Sequence, residues 1–442
     1  MSRPTMRLPR RLGRPALLAV LLLPAAASAQ PTMNDPNLVV TPVVPPSSLS
    51  QPTSIDFLAA DDILVLEKQT GLVRRILNGV IQPTPALDAA VNSDGERGML
   101  GIAIDPGSPT RVFLYYTEAL ADGGPAIGNR IYRYDWSPAT GTLINPALLL
   151  DLPVDVPFHN GGVLLWDDAN GHLYGVIGDQ GHAGQLQNFA FSNPPDNTSV
   201  LVRLNMDGTA AAGNPFTPYC SNLTTQTCTT SANCPAGGTC VTEVAKYFSY
   251  GVRNCFGIAF DPVTALLWDT ENGPDVYDEV NQVPIGANSG WVRIMGPVVR
   301  DPEGTADLWS VPGAGLTYND PEFSWLSTIA PTGIAFPFGS SWGPAYDQVA
   351  IVGDANFGQI SSFPLNGPRT AFVLTGGLAD LVADNQAEHD QVVIGSGFVG
   401  LVGLKRGLEA PNPHLYAVSI GNGTVYRIAG PVPVALQGFA VE

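Results

Sequence analysis

The stretch Phe158 to Gly181, FHNGGVLLWDDANGHLYGVIGDQG, sets a titratable imidazole, His159, ahead of two glycines and ends on a turn that offers Asp179 and Gln180. Val163 to Trp166 reads as an apolar strand, Asp167 to Gly171 as a hairpin turn and His172 to Ile177 as the return strand. His159 and the GDQG turn are therefore expected at the ends of neighbouring strands. Imidazole suits proton transfer near neutral pH. A lone histidine more often caps a hairpin than catalyses, so His159 needs company from elsewhere in the chain.

That company has to be positioned by repeated elements. Four segments share a glycine, alternating apolar residues and often Asp-Pro: GIAIDP from Gly101, GVLLWD from Gly162, GIAFDP from Gly257 and GIAFPF from Gly333. Less regular copies are TSIDFLAADDILVLEKQTGLVRRI near the start and GLEAPNPHLYAVSIGNGTVYRIAG near the end. Each copy carries two or three short strands of period two, which predicts an all-β chain whose sheets stack radially and cover one another's edges. Six copies predict a six-bladed β-propeller over residues 50–430, preceded by a Pro-rich extension over 30–49 lying on the surface and followed by a tail over 431–442. The Asp-Pro pairs read as turn signals.

Residues 1–29 hold five arginines and no acid, then ALLAVLLLPAAA and Ala27-Ser28-Ala29, the pattern of a secretory signal peptide cleaved after Ala29. The expected compartment is periplasmic or extracellular, with no membrane span, since the apolar run falls short of the ~20 residues a spanning helix needs. Loss of the five arginines would take the net charge from −18 to −23, which makes nucleic acid and anionic membranes poor partners. Cys220, Cys228, Cys234 and Cys240 crowd one polar insert, residues 216–242. In an exported chain they predict two local disulfides, with all three pairings open, in a peripheral loop. No Cys-x-x-Cys pair supports a zinc site. Cys255 is left as a buried free thiol.

Two further stretches, GERGMLGIAIDP (Gly95 to Pro106) and GVRNCFGIAFDPVTALLWDTENGPDVYDEVNQV (Gly251 to Val283), share the polar, glycine-bearing character of the His159 neighbourhood. With HNGG, IGDQG, VRLNMDG, YGVRN and TENGPDVYDEVN, in this order over nearly the whole mature chain, the sequence resembles the soluble glucose and aldose-sugar dehydrogenases that use pyrroloquinoline quinone (PQQ). These form the glucose/sorbosone dehydrogenase family, which includes Hedgehog-interacting-like proteins. The resemblance implies that His159 is the general base that takes the anomeric hydroxyl proton as hydride leaves for the quinone. It implies that Arg253, Asn254, Thr328 and Arg406 contact the cofactor, and that the carbonyls of Gly273 and Pro274 hold an active-site calcium. Glu96 and Gln180 would face the sugar, and an external acceptor would take the electrons.

The sequence also departs from the family pattern. Asn356 stands where a lysine is expected against the cofactor, and Leu404 where the first of two arginines is expected, with Lys405 between it and Arg406. Each lost charge-assisted contact is worth ~1.5–3 kcal/mol. A propeller of the same family that has lost the quinone and binds a protein or glycan is therefore the second reading. A calcium-dependent lactonase is the third, without a matching Glu and Asn ligand set.

Overall fold

The computed structural model describes residues 30–430; the signal-peptide segment 1–29 and the tail 431–442 lie outside them. Among the described residues are six sheets of four or five strands, arranged in chain order and antiparallel except where Phe323–Ser327 pairs in parallel with Val382–Ala383, one small three-stranded sheet, and a single α-helix, Gln386–Val392.

Each large sheet starts from a short inner strand: Pro52–Ala59, Met99–Asp105, Leu164–Asp167, Cys255–Phe260, Pro331–Ala335 and Leu401–Arg406. Each packs against the next, and Leu401–Arg406 returns to Pro52–Ala59, so the strands close a ring. The repeated glycines explain how the ring can be tight. A Cβ at Gly101 would strike the Gly162 carbonyl oxygen, and one at Gly257 would strike that of Thr332. Glycine removes the atom that would hold the strands apart. The last inner strand, LVGLKR, begins before the GLEAPNPHLYAV copy read from the sequence.

The N-terminal stretch does more than lie on the surface. Thr32–Met33 pairs with Val393–Ser396 at the edge of the fifth sheet, and Val39–Pro42 pairs with Thr424–Ala429 at the edge of the sixth. The two ends of the described chain thus share a sheet, and unpaired edges are covered.

Apolar side chains fill the spaces between sheets. Phe113 of the second sheet stacks on Trp166 of the third, centroids 5.2 Å apart. Trp268, Trp325, Phe363 and Phe372 build the joint between the fourth and fifth. Full burial of side chains this size stabilises by ~1.5–3 kcal/mol each, which makes the ring a rigid frame for the loops at its rim. The aspartates of the repeat close turns as expected: Asp105 Oδ1 accepts from the Gly107 N–H at 2.9 Å and Asp261 Oδ1 from that of Val263 at 2.8 Å.

The cysteine segment is not a plain loop. It forms the three-stranded sheet Tyr219–Cys220, Leu223–Thr227 and Cys240–Val241, tied by Cys220–Cys234 and Cys228–Cys240. Cys255 is a buried free thiol.

Candidate active site

The inner strands all begin at one end of the ring, and the residues just before them meet there. The hairpin predicted around His159 forms, with Leu164–Asp167 against His172–Ile177 and Asp167 opposite His172. His159 takes a left-handed backbone (φ 55), as does Gln180 (φ 51) across from it. Non-glycine residues in this region store strain that the surroundings must hold. Here the holding contact is direct: Gln180 Nε2 donates to the His159 carbonyl at 2.7 Å and to that of Phe158 at 3.2 Å. Gly178 must be glycine, because a Cβ there would press on the carbonyls of Arg253 and His159.

His159 Nδ1 lies 2.6 Å from Asp179 Oδ1. The other Asp179 oxygen accepts the Trp291 indole N–H at 2.6 Å, and the Gly181 N–H reaches Oδ1 at 2.9 Å. Burial pushes Asp179 up, but the hydrogen bonds from His159, Gly181 and Trp291 outweigh it and leave the carboxyl below its usual range. A carboxylate so held accepts the Nδ1 proton, which assigns the tautomer and leaves Nε2 as the basic nitrogen. Nε2 has no protein partner among the described residues.

Around this pair stand the other expected residues. Asn254 Nδ2 donates to Glu96 Oε2 at 3.1 Å, and the Asn160 N–H reaches the same oxygen at 3.3 Å. Glu96 thereby joins the second, third and fourth sheets. The Arg253 N–H donates to Glu271 Oε2 at 3.1 Å, Nη1 donates to the Asn272 carbonyl at 2.8 Å, and the guanidinium lies 5.2 Å from the Trp291 ring centre. Burial lowers the Arg253 pKa, offset by Asp179, Asp278 and other acids. Arg253 Nε and Asn254 Oδ1 are buried without a hydrogen-bond partner among the described residues.

The Gly273 N–H donates to Asp278 Oδ1 at 2.8 Å, while Asp278 Oδ2 accepts from the N–H groups of Ile329 and Ala330 at 2.6 and 2.8 Å. One buried carboxylate thus clamps the Gly273-Pro274 turn to the segment carrying Thr328. Asp278 and Glu279 of TENGPDVYDE are buried, whereas Asp275 is exposed.

One placement differs from what the resemblance implies. Gln180 is 1% exposed and its amide supports the His159 backbone instead of opening to a sugar. Arg406 ends its inner strand opposite Leu415, near Gly339, roughly 17 Å of strand beyond Leu401, and lines the axial cavity together with Lys68 and Glu96. Lys405 pairs with Asp56 at 3.0 Å. Asn356 is exposed and Leu404 buried in the core.

Lys68, Asp179 and Trp291 were missed as site residues. Lys68 Nζ donates to the Ser93 and Gly95 carbonyls at 3.0 and 2.8 Å, and its half-buried ammonium is pushed below its usual range by burial, with Glu96 and Asp94 pulling it back. With Glu96 and Gly161 it lines the axial cavity of about 790 Å³, of which His159 and Arg253 are not part of the lining. Asp179 was visible in GDQG as a polar turn residue; nothing near Lys68 or Trp291 in sequence points to the site.

Residues 49–375 match the Glucose / Sorbosone dehydrogenase family. An uncharacterized protein of Synechocystis sp. is 28% identical over 68% of this chain and 69% of its own length. Quinoprotein glucose dehydrogenase B of Acinetobacter calcoaceticus is 26% identical over 57% of this chain, and the match spans about half of that relative, 52%. In fold, the chain is similar to the PQQ-bound aldose sugar dehydrogenase of Streptomyces coelicolor, with a TM-score of 0.60 over 89% of this chain and 98% of that one at 22% identity. The motifs around His159, Arg253 and Gly273 fall inside the matched residues, and the chain belongs to the glucose/sorbosone dehydrogenase family.

Proposed function

We propose that the chain is an exported quinoprotein oxidoreductase, built as a six-bladed β-propeller, that oxidises aldose sugars at the anomeric carbon with PQQ and calcium and passes the electrons to an external acceptor. The observation that carries the reading is the His159–Asp179 pair at 2.6 Å, set beside Arg253 and Asn254. His159 Nε2 takes the anomeric hydroxyl proton, while Asp179 stabilises the imidazolium that results.

The residues fit the cofactor. Arg253 and Lys68 supply cationic donors for an anionic group, and the buried, unpartnered Arg253 Nε and Asn254 Oδ1 are polar atoms of the kind a bound ligand satisfies. Thr328 joins them through the Asp278 clamp. The carbonyls of Gly273 and Pro274 are the hard oxygen donors a calcium ion prefers, on a turn that Asp278 holds in place. When bound, the quinone would supply the hydride acceptor and calcium the Lewis acid beside it. Glu96, held in place as its Oε2 accepts from Asn160 and Asn254, would offer a fixed acceptor to the sugar.

Export is supported by the two disulfides and by the first 29 residues, and no helix among the described residues is long and apolar enough to cross a membrane. The net charge of −18 argues against nucleic acid as a partner.

A second reading, a family propeller without the quinone that binds a protein or glycan, is favoured by Asn356 and Leu404. The test is reconstitution with calcium and PQQ followed by dye reduction with a panel of aldoses. Quinone bound with sugar-dependent reduction supports the enzyme; no quinone retained supports the second reading.

A further inference from the structure

Beside Tyr247–Tyr250, the outermost strand of the third sheet, lies a cleft of about 740 Å³ that the proposed redox chemistry does not use. It is lined by Thr225 and Thr227 of the disulfide-bonded insert, by Tyr219 beneath them, by Trp309 and Ser310 of the long segment between Gln282 and Phe323, and by Gln185 of the segment that follows GDQG. In a chain with 39 acidic and 21 basic residues, none of the lining residues is Asp, Glu, Lys or Arg. An ion, a phosphate group or a charged peptide would find no counter-charge there.

What the lining does offer is hydroxyls, one amide and an aromatic face. Threonine and serine hydroxyls donate and accept, as sugar hydroxyls do. Trp309 is half-buried and its main chain is held from three sides: the backbone carbonyl accepts from Tyr250 Oη at 2.8 Å and Asn288 Nδ2 at 3.0 Å, and the backbone N–H donates to Asn188 Oδ1 at 3.0 Å. Its ring meets Tyr250 edge-on at 5.9 Å. With its main chain held by these bonds and its ring against Tyr250, the half-buried indole offers a flat apolar surface to the C–H face of a sugar ring. Tyr219 is 4% exposed and its hydroxyl has no hydrogen-bond partner among the described residues.

The insert wall is equally fixed. The exposed strand Leu223–Thr227 is pinned to Tyr219–Cys220, and the disulfides Cys220–Cys234 and Cys228–Cys240 close the segment on itself. A rigid wall loses less freedom on binding, which favours affinity. The volume lies in the ~300–1,000 Å³ range of small-ligand sites, enough for a short run of sugar units.

We propose that this cleft is a second binding site for a neutral saccharide chain, separate from the site at His159. It stands on the chemistry of its own lining and does not require the redox reaction.

The test is calorimetric titration of the protein with maltohexaose, cellohexaose and xylohexaose, with an uncharged proline-rich dodecapeptide as the competing class. At least one hexaose is expected to bind. Thr225→Val combined with Thr227→Val keeps side-chain shape and should weaken binding about fivefold or more, on the scale of one or two hydrogen bonds. Trp309→Ala should weaken it about tenfold or more. His159→Gln should bind as the wild type does. The proposal is overturned if no hexaose binds, if the peptide binds in their place, if the threonine variant binds at wild-type strength, or if His159→Gln abolishes binding and so places the saccharide at the other site.

Discussion

Asp179 holds His159 from one side and is itself held from the other: Oδ1 lies 2.6 Å from His159 Nδ1, and Oδ2 takes the Trp291 indole N–H at 2.6 Å. The segment that brings Trp291 there comes from the fourth sheet, between strands Val276–Gln282 and Phe323–Ser327, whereas the other two residues belong to the third. The orientation of the His159 imidazole therefore depends on a contact between sheets.

Asp179→Asn should keep the packing but lose the charge that fixes the imidazole tautomer. Turnover of the reconstituted protein is expected to fall about 10- to 100-fold, the usual cost of losing such a supporting partner. Quinone binding, followed by absorbance, should be unchanged. Equal loss of bound quinone and activity would instead make Asp179 a general support of the mouth.

Arg253→Gln and Lys68→Gln should each weaken quinone binding about tenfold or more, on the scale of a charge-assisted hydrogen bond. Titration of the apoprotein with PQQ at fixed calcium measures both, with Arg406→Gln alongside. A large effect of Arg406→Gln alone would relocate the cofactor.

His182 links two carboxylates next to the GDQG turn, with Nε2 2.7 Å from Asp155 and Nδ1 2.8 Å from Asp196. Burial lowers its pKa, but the hydrogen bonds it donates to Asp196 and Asp155 outweigh it and raise it above the ordinary histidine value. A raised folded pKa contributes stability that is fully present below the unfolded value, about 6.5, and is lost as pH rises through the folded one. Buried acids complicate the total: Asp354 is pushed up to about 6 by burial, which also makes stability fall as pH rises past its unfolded value. The difference between wild type and His182→Gln isolates the clamp. Melting temperatures from pH 5.5 to 9 should differ most at the acid end and converge at the alkaline end; a constant gap would contradict the clamp.

Mass mapping without reduction should find Cys220 with Cys234 and Cys228 with Cys240, and Cys255 should resist alkylation until the protein unfolds. Rapid labelling of Cys255 in the native protein would contradict its burial. Opening either disulfide should expose the insert to proteolysis while leaving the ring intact, because the insert packs as its own small sheet.

The parts legible in sequence were those set by period and by glycine. Period-two strands and the repeated glycines gave the all-β ring, since Gly101 and Gly257 mark places where inner strands come too close for a Cβ. The clustered cysteines gave the two disulfides, and HNGG with GDQG gave the hairpin that carries His159. Contacts between distant segments were not legible. Lys68 reaches the site from a turn of the first sheet, and Trp291 from a segment with no regular structure around it. The place of Arg406, at the end of its inner strand and along the axial cavity, follows from strand register, which composition does not show. The N-terminal extension looked like surface chain because proline-rich composition hides the few residues that complete two sheets.

The central claim is tested most directly by comparing wild type and His159→Gln after reconstitution with calcium and PQQ, measuring bound quinone and aldose-dependent dye reduction on the same samples. Arg253, Asn254 and the Gly273-Pro274 turn remain in the variant, so it should retain the quinone. Loss of the base should lower reduction by a factor of ~100 to 10,000. A variant that keeps the quinone and reduces dye at near the wild-type rate would contradict the account and leave His159 as a cap on its hairpin.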